Sequence, residues 1–242
     1  MIVLKSEVFN DGRHTGENIA VKLETMLSSW GIPKEKVLCI VRDGGTNMKK
    51  GISLLNIKNI DCLLHQIQLG VKEGLKSQES IIAVINKCKK IATHFHHSNV
   101  AQDEHANLQE KLNQPKLKII QECVTRWNSN FYMLERILKN KDSLCLYAST
   151  DNKISQLSSE EWIVVEKLIT LLKPFEEITR ELSAANVSIS SVIPLLATLE
   201  KVIDEYDASE ECIRKTILVL KQEMNQIFSL GKPKILQPKI RS

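Results

Sequence analysis

From about Ser77 onward, apolar residues recur three and four positions apart. That period commits more than half of the chain to packed amphipathic helices. Ile81, Val84, Ile85, Cys88, Ile91, Ala92 and Phe95 make one stripe. The spacing predicts a second helix over residues 127–147 and a third over 160–182, with Pro174 kinking or interrupting the third. Val192, Leu195, Leu196, Leu199, Val202, Ile203 and Tyr206 give the next face. Ile213, Ile217, Leu220, Met224 and Ile227 give the last. Stripes of this width are read as core rather than as binding grooves.

Ahead of them the pattern alternates. Residues 2–8 read as a strand and Asn10-Asp11-Gly12 as a turn. Ile19, Leu23, Met26, Leu27 and Trp30 fall at helical spacing, and Gly31 followed by Pro33 ends that helix. The short apolar run Val37-Leu38-Cys39-Ile40-Val41 predicts a buried strand. A second strand is expected over 60–62, leading into a helix with Leu64, Ile67, Val71 and Leu75 on one face. The fold class expected is therefore α/β followed by mostly α.

Composition narrows the function less. Hydrophobic residues make up 43% and charged residues 26% of the 242 positions, as in soluble domains. No apolar run approaches the roughly 20 residues that cross a bilayer, so no membrane role is expected. Met1-Ile2-Val3-Leu4 carries no basic, signal-like start, which argues against secretion. A chain opening directly on a strand also points to sequence lost upstream. The six cysteines (Cys39, Cys62, Cys88, Cys123, Cys145, Cys212) are read as reduced packing residues, not a disulfide framework. A net charge of +4 is compatible with nucleic acid without arguing for it. After Glu223 no acid occurs, and Lys232, Lys234, Lys239 and Arg241 among Gly231, Pro233 and Pro238 read as a frayed basic tail.

Three constellations carry possible chemistry. Asp43 follows a strand and precedes Gly44-Gly45, which is where open α/β sheets place functional loops. Asn47 is positioned to cap the next helix or steady that loop. Cys62-Leu63-Leu64-His65 offers two zinc-type ligands, but a structural site needs four. Cys88, His94, His96 and His97 stand at no standard spacing, so a buried cysteine with a positioned histidine is the better reading. A thiol nucleophile with its base is disfavoured, because no orienting partner is evident. Thr125-Arg126-Trp127-Asn128-Ser129 offers a guanidinium for phosphate and an indole face for a base. The alternative is a surface arginine beside a core tryptophan that opens a helix.

In order along the chain, His14-Thr15-Gly16-Glu17-Asn18-Ile19, Val41-Arg42-Asp43-Gly44-Gly45-Thr46-Asn47-Met48, Cys62-Leu63-Leu64-His65 and Thr125-Arg126-Trp127-Asn128-Ser129 resemble the hAT superfamily of transposases. The resemblance is strongest to the domesticated zinc-finger BED-type proteins derived from them. It implies a partial RNase H-like fold interrupted by a helical insertion: an α/β unit over 1–76, the insertion over 77–230, and a basic disordered tail over 231–242. In the family, two aspartates and a late glutamate hold divalent metal, Mg2+ in intact members, for strand cleavage and transfer. Asp43 matches the second aspartate. His65, Arg126 and Trp127 match residues that lie near the active site and contact or stabilise DNA; Cys62 and Asn47 keep the structural roles read from the residues themselves.

The departures shape the expectation. The first aspartate belongs on an earlier strand, and the glutamate and dimerisation segment after the insertion. Gly44 stands where asparagine often follows the second aspartate. One aspartate cannot hold a two-metal cluster, so Asp43 is expected to bind metal weakly if at all and to be a catalytic remnant, with no cofactor. The reading expected is a transposase-derived nuclear protein fragment, catalytically inactive, with DNA as its expected partner or a transcription-related role. A helical protein-interaction scaffold is the alternative, as is a strand transferase whose missing carboxylates come from another chain. Incomplete burial also predicts protein or self-association through exposed helical surface.

Overall fold

The computed structural model describes residues 8, 13–123, 125–150, 154–184, 189–206 and 209–231, the side chains of 189, 190 and 228–231 excepted. These form two compact units, one built on residues up to Ile67 and the other on the helices that follow. The expected strand over residues 2–8 (Val8 apart), the turn at Asn10-Asp11-Gly12 and the basic tail beyond Gly231 lie outside the described residues.

In the first unit, Thr15 caps α1 (Gly16–Ser29) by accepting from the Asn18 amide at 3.3 Å. The helix closes at Gly31, whose φ of 65° is left-handed. There Gly31 N–H donates to the Ser28 carbonyl and Ile32 N–H to the Leu27 carbonyl, both at 3.0 Å, the Schellman geometry that glycine favours. A 3-10 turn at Lys34–Lys36 leads to β1 (Ile40–Arg42), then α2 (Thr46–Leu54) and β2 (Asn59–Asp61). The strands pair in parallel, Ile40 with Asn59, Val41 with Ile60 and Arg42 with Asp61. Ala20, Ile52, Leu55 and Ile57 form the core, with Leu23, Leu27, Val37, Ile40 and Met48 against it. Gly16 and Gly51 let α1 and α2 close up: a Cβ on Gly51 would meet the Gly16 carbonyl at 2.8 Å and Ile19 Cγ2 at 2.7 Å.

The expected buried strand is corrected here. Only three residues form β1, and Leu38 and Val41 are 85% and 54% exposed. Within β1, Ile40 and Arg42 turn inward while Val41 points away, because strand side chains alternate between faces; Val37 meets the core from ahead of the strand. Two strands of three residues are too little sheet to identify an RNase H-like fold. The chain is, as its periodicity predicts, mostly helical.

The second unit takes in most of α3 (Leu63–Lys76), then α4 (Glu79–His97), α5 (Asn99–Lys111), α6 (Trp127–Lys139), α7 (Lys141–Thr150), α8 (Ser159–Leu182), α9 (Ile189–Glu205) and α10 (Glu211–Gly231). Every residue of the α4 stripe is buried. That helix packs on α5, α6 and α8. Gly70 and Gly74 admit α10 side chains to the α3 backbone: added Cβ atoms would meet Met224 Cε at 2.6 Å and Leu220 Cδ2 at 2.5 Å. A capping box between Ser158 and Glu161 starts α8.

Two expectations about helix ends change. The helix predicted over 127–147 breaks at Asn140, whose side chain donates to the Arg136 carbonyl and accepts from Gln109 Nε2. Such local bonding competes with helix continuation. By contrast α8 runs on through Pro174. Leu171, Leu172, Phe175 and Ile178 are buried on both sides of it, and their burial exceeds the roughly 3 kcal/mol cost of an interior proline. The cysteines are free, but only Cys88 is buried while Cys123 and Cys145 are exposed, so packing accounts for fewer of them than expected.

His105 of α5 is 3% exposed, and its Nε2 lies 3.0 Å from Ser143 Oγ of α7. Burial pushes its imidazole down to about 4. Because the folded value lies below the unfolded one, this group's stabilisation is full above pH ~6.5 and is lost as pH falls toward 4. Urea unfolding should show stability falling between pH ~7 and ~5, by at most about 3 kcal/mol from this group, with a smaller slope in His105→Gln. Gly51→Ala should cost about 1–3 kcal/mol in the same assay, because the Gly16 carbonyl is backbone and cannot step aside.

Candidate functional site

The Asp43 loop is held from beneath by Arg42. This side chain is 7% exposed at the end of β1. Its Nε donates to Asn59 Oδ1 at 2.9 Å, and its Nη1 donates to Asp61 Oδ1 at 2.6 Å and to the Asp43 carbonyl at 2.7 Å. Cys62 N–H donates to the Arg42 carbonyl at 2.6 Å, extending the strand pairing into the next loop. A buried guanidinium with three acceptors is a fully paired charge, and it neutralises Asp61 in the process. Reading the sequence for chemistry passed over Arg42 and Asp61. A cation closing one short apolar strand and an acid closing the next is the signal that could have found them.

Asp43 itself is exposed, with Oδ1 accepting from the Gly45 amide at 3.1 Å. Gly45, not Asn47, is the N-cap of α2, and no side chain caps that helix. The capping role expected of Asn47 is thereby corrected: Asn47 lies inside the first turn and is exposed, past the position from which a side chain reaches the first amides. His65, half-buried on the first turn of α3, lies against Gly44. A Cβ on Gly44 would sit 3.2 Å from His65 Nε2. An asparagine at 44 would therefore require the His65 ring to shift, which gives a physical reason for glycine there. The loop and the Cys-x-x-His turn are thus neighbours. Cys62 is half-buried and its carbonyl accepts from Gln66 N–H at 3.1 Å, so it opens α3 as a structural residue.

These donors do not fit a resident metal. Asp43 offers one exposed carboxylate, already engaged by the backbone. Among the described residues no three His, Cys, Asp or Glu side chains converge to hold an ion. Two of the additional zinc candidates are engaged elsewhere: His94 Nε2 lies 2.9 Å from Tyr147 Oη, and burial pushes the Cys88 thiol up to about 12.

The Arg126-Trp127 pair lies in the second unit. Trp127 is 2% exposed and meets Phe175 edge to face with ring centroids 6.5 Å apart. Its indole faces are covered, so the expectation that they stack on a base is corrected. The residue anchors the first turn of α6. Arg126 is the N-cap of that helix and is exposed, and no side chain caps the first-turn amides. Ser129 Oγ binds the turn together, its one proton within reach of the carbonyls of Cys123 and Arg126 while it accepts from Cys123 N–H at 3.0 Å. Gln68 Nε2 donates to the Thr125 carbonyl at 2.7 Å. A hydrogen bond with the Thr125 hydroxyl holds the exposed Cys123 thiol below its ordinary range. Ser129 closes the quoted motif, while Gln68 is a positioning residue that carried no sequence signal beyond its type. The arrangement offers an anion a guanidinium beside the positive end of a helix. Trp127→Ala should cost about 3–5 kcal/mol in urea unfolding, whereas Arg126→Ala should stay within about 0.5 kcal/mol of wild type.

Known proteins show related sequence. The profile of the ZBED1 RNase-like helical domain matches residues 60–171. Human zinc finger BED domain-containing protein 4 is 26% identical over 194 residues, covering 80% of this chain and 17% of that protein. The putative transcriptional regulator tpeD of Talaromyces stipitatus is 27% identical over 223 residues, covering 76% of this chain and 26% of its own length. The Hobo transposase of Drosophila melanogaster is 24% identical over 200 residues, covering 82% and 28%. The chain thus spans well under a third of each of these relatives.

Proposed function

Because this chain belongs with the hAT-derived, BED-type transposase-related proteins, we propose that it is a DNA-contacting, transposase-derived region that does not cleave strands by itself and serves a transcription-related role in the nucleus. The observation that carries the DNA half is Arg126, exposed at the uncapped start of α6 and held there by the Ser129 turn and the buried Trp127. An exposed guanidinium at the positive end of a helix suits a backbone phosphate, which positions a duplex without reading its sequence. In this reading the family's contact is made by Arg126 alone, with Trp127 setting its position and His65 packed against the Asp43 loop.

The second half of the reading rests on donor count. Two-metal strand transfer needs several converging carboxylates; among the described residues none converge on Asp43, and the nearby Asp61 is paired with Arg42. The partition into an RNase H-like part over 1–76 and an insertion over 77–230 belongs to the same proposal. Similarity to tpeD, named as a putative transcriptional regulator, supports the regulatory role and, with it, a nuclear site of action.

Fluorescence anisotropy with a labelled DNA duplex tests this. Wild type should bind at about 50 mM salt and weaken steeply toward about 200 mM, as counterion release requires. Arg126→Ala should weaken binding and reduce the salt slope by about one phosphate contact. A folded chain that does not bind at low salt would remove the DNA reading. Magnesium-dependent nicking that vanishes in Asp43→Asn would instead restore a catalytic one.

A further inference from the structure

The second unit carries a groove that the DNA reading does not use. Its deeper chamber, of about 290 Å³, lies along α3 and α4 and is closed on one side by Glu122 and Asn130. The floor is aliphatic: Leu75 and Ile85 are 7% exposed, and Ile82 is half-buried. Lys72, Lys76 and Lys89 rim it. A shallower trough of about 540 Å³ shares Asn86 and Lys89 with the chamber and extends it past Lys90 to His94. The two linings hold four lysines and one acid, Glu122, which is bound to Lys89 at 2.7 Å. Lys76 reaches Glu73 at 3.6 Å with both side chains well exposed, a contact too weak to neutralise the rim.

The linings discriminate between polyanions. A nucleic-acid groove presents donors to phosphate and flat rings to bases. Here no aromatic side chain lines the chamber. A phosphate backbone has nothing apolar to place over Leu75, Ile82 and Ile85, whereas a leucine side chain does. Aliphatic floor and cationic rim together match an acidic segment with branched apolar side chains. We propose that this α3–α4 groove docks an acidic, leucine-bearing peptide segment of a partner protein. An apolar side chain fills the chamber over Ile82 and Ile85, and carboxylates lie on Lys76 and Lys90. The docking is independent of any DNA contact at Arg126.

The test uses the full chain and a fluorescein-labelled peptide of roughly 14 residues, with leucines on one helical face and glutamates on the other. Lys76 and Lys90 are exposed, so Lys76→Glu/Lys90→Glu leaves the core intact. Saturable binding should weaken by about tenfold or more in that variant, remain unchanged in Lys173→Glu on the exposed face of α8, and disappear when the peptide's leucines become serine. Failure of the wild-type chain to bind the peptide would overturn the proposal, as would equal affinity in the double variant. If the double substitution abolishes duplex binding and spares the peptide, the groove is a nucleic-acid surface and the proposal fails. If it dissolves a dimer of this chain and spares the peptide, the occupant is a second copy and the proposal fails equally.

Discussion

Burial of one helical stripe organises the larger unit. The apolar face of α4 is covered along its whole length, from Ile81 at 0% exposure to Phe95 at 2%. Its neighbours α5, α6 and α8 each cover part of that face. A helix gains most of its stability from such packing rather than from propensity, so the positions of the surrounding helices follow from what α4 must hide. The opposite, polar side of α4 is then left to face outward, and there Lys89 and Lys90 stand. The basic groove is in this sense a by-product of the core: the same helix that supplies the buried stripe supplies the charged rim.

A different constraint governs the smaller unit. Its two strands bury little, and a buried charge takes over part of the work of joining them. Arg42 ties Asn59 and Asp61 of β2 to the carbonyl of Asp43. Truncating such a buried, paired cation leaves its acceptors unpaired and costs more than the pair contributes net. Asp43 is therefore presented on a fixed loop, but with a guanidinium beneath it that also occupies Asp61.

Much of the candidate site was legible in residue type and spacing. Asp43 after a strand, His65 one turn into a helix and Arg126 at a helix start all stand where their local sequence put them. The roles were less legible. Trp127 could have offered a ring to a base or a side to the core, and only the packing of Phe175 against it decides for the core. The distinction between Asn47 as a cap and as a first-turn residue depends on where α2 begins, one residue after Gly45. Arg42 showed no role of its own in the sequence because its partners lie 17 and 19 positions away, and no local pattern registers such a contact.

Period and punctuation are properties of neighbours in the chain, and these the sequence determined by itself: the helical stripes of α4, α8 and α10, the glycine stop of α1 at Gly31, and the order of the motifs that resemble those of hAT-type transposases. Tertiary structure alone decided which of two local options won. Asn140 breaks what reads as one helix because Gln109 of another helix meets its side chain. Pro174 fails to break α8 because buried residues on both sides hold it straight through. The strand at Ile40–Arg42 stays short and half-exposed because only one partner strand lies beside it among the described residues. In each case the deciding energy comes from groups distant in sequence, so it is absent from any local reading of the chain.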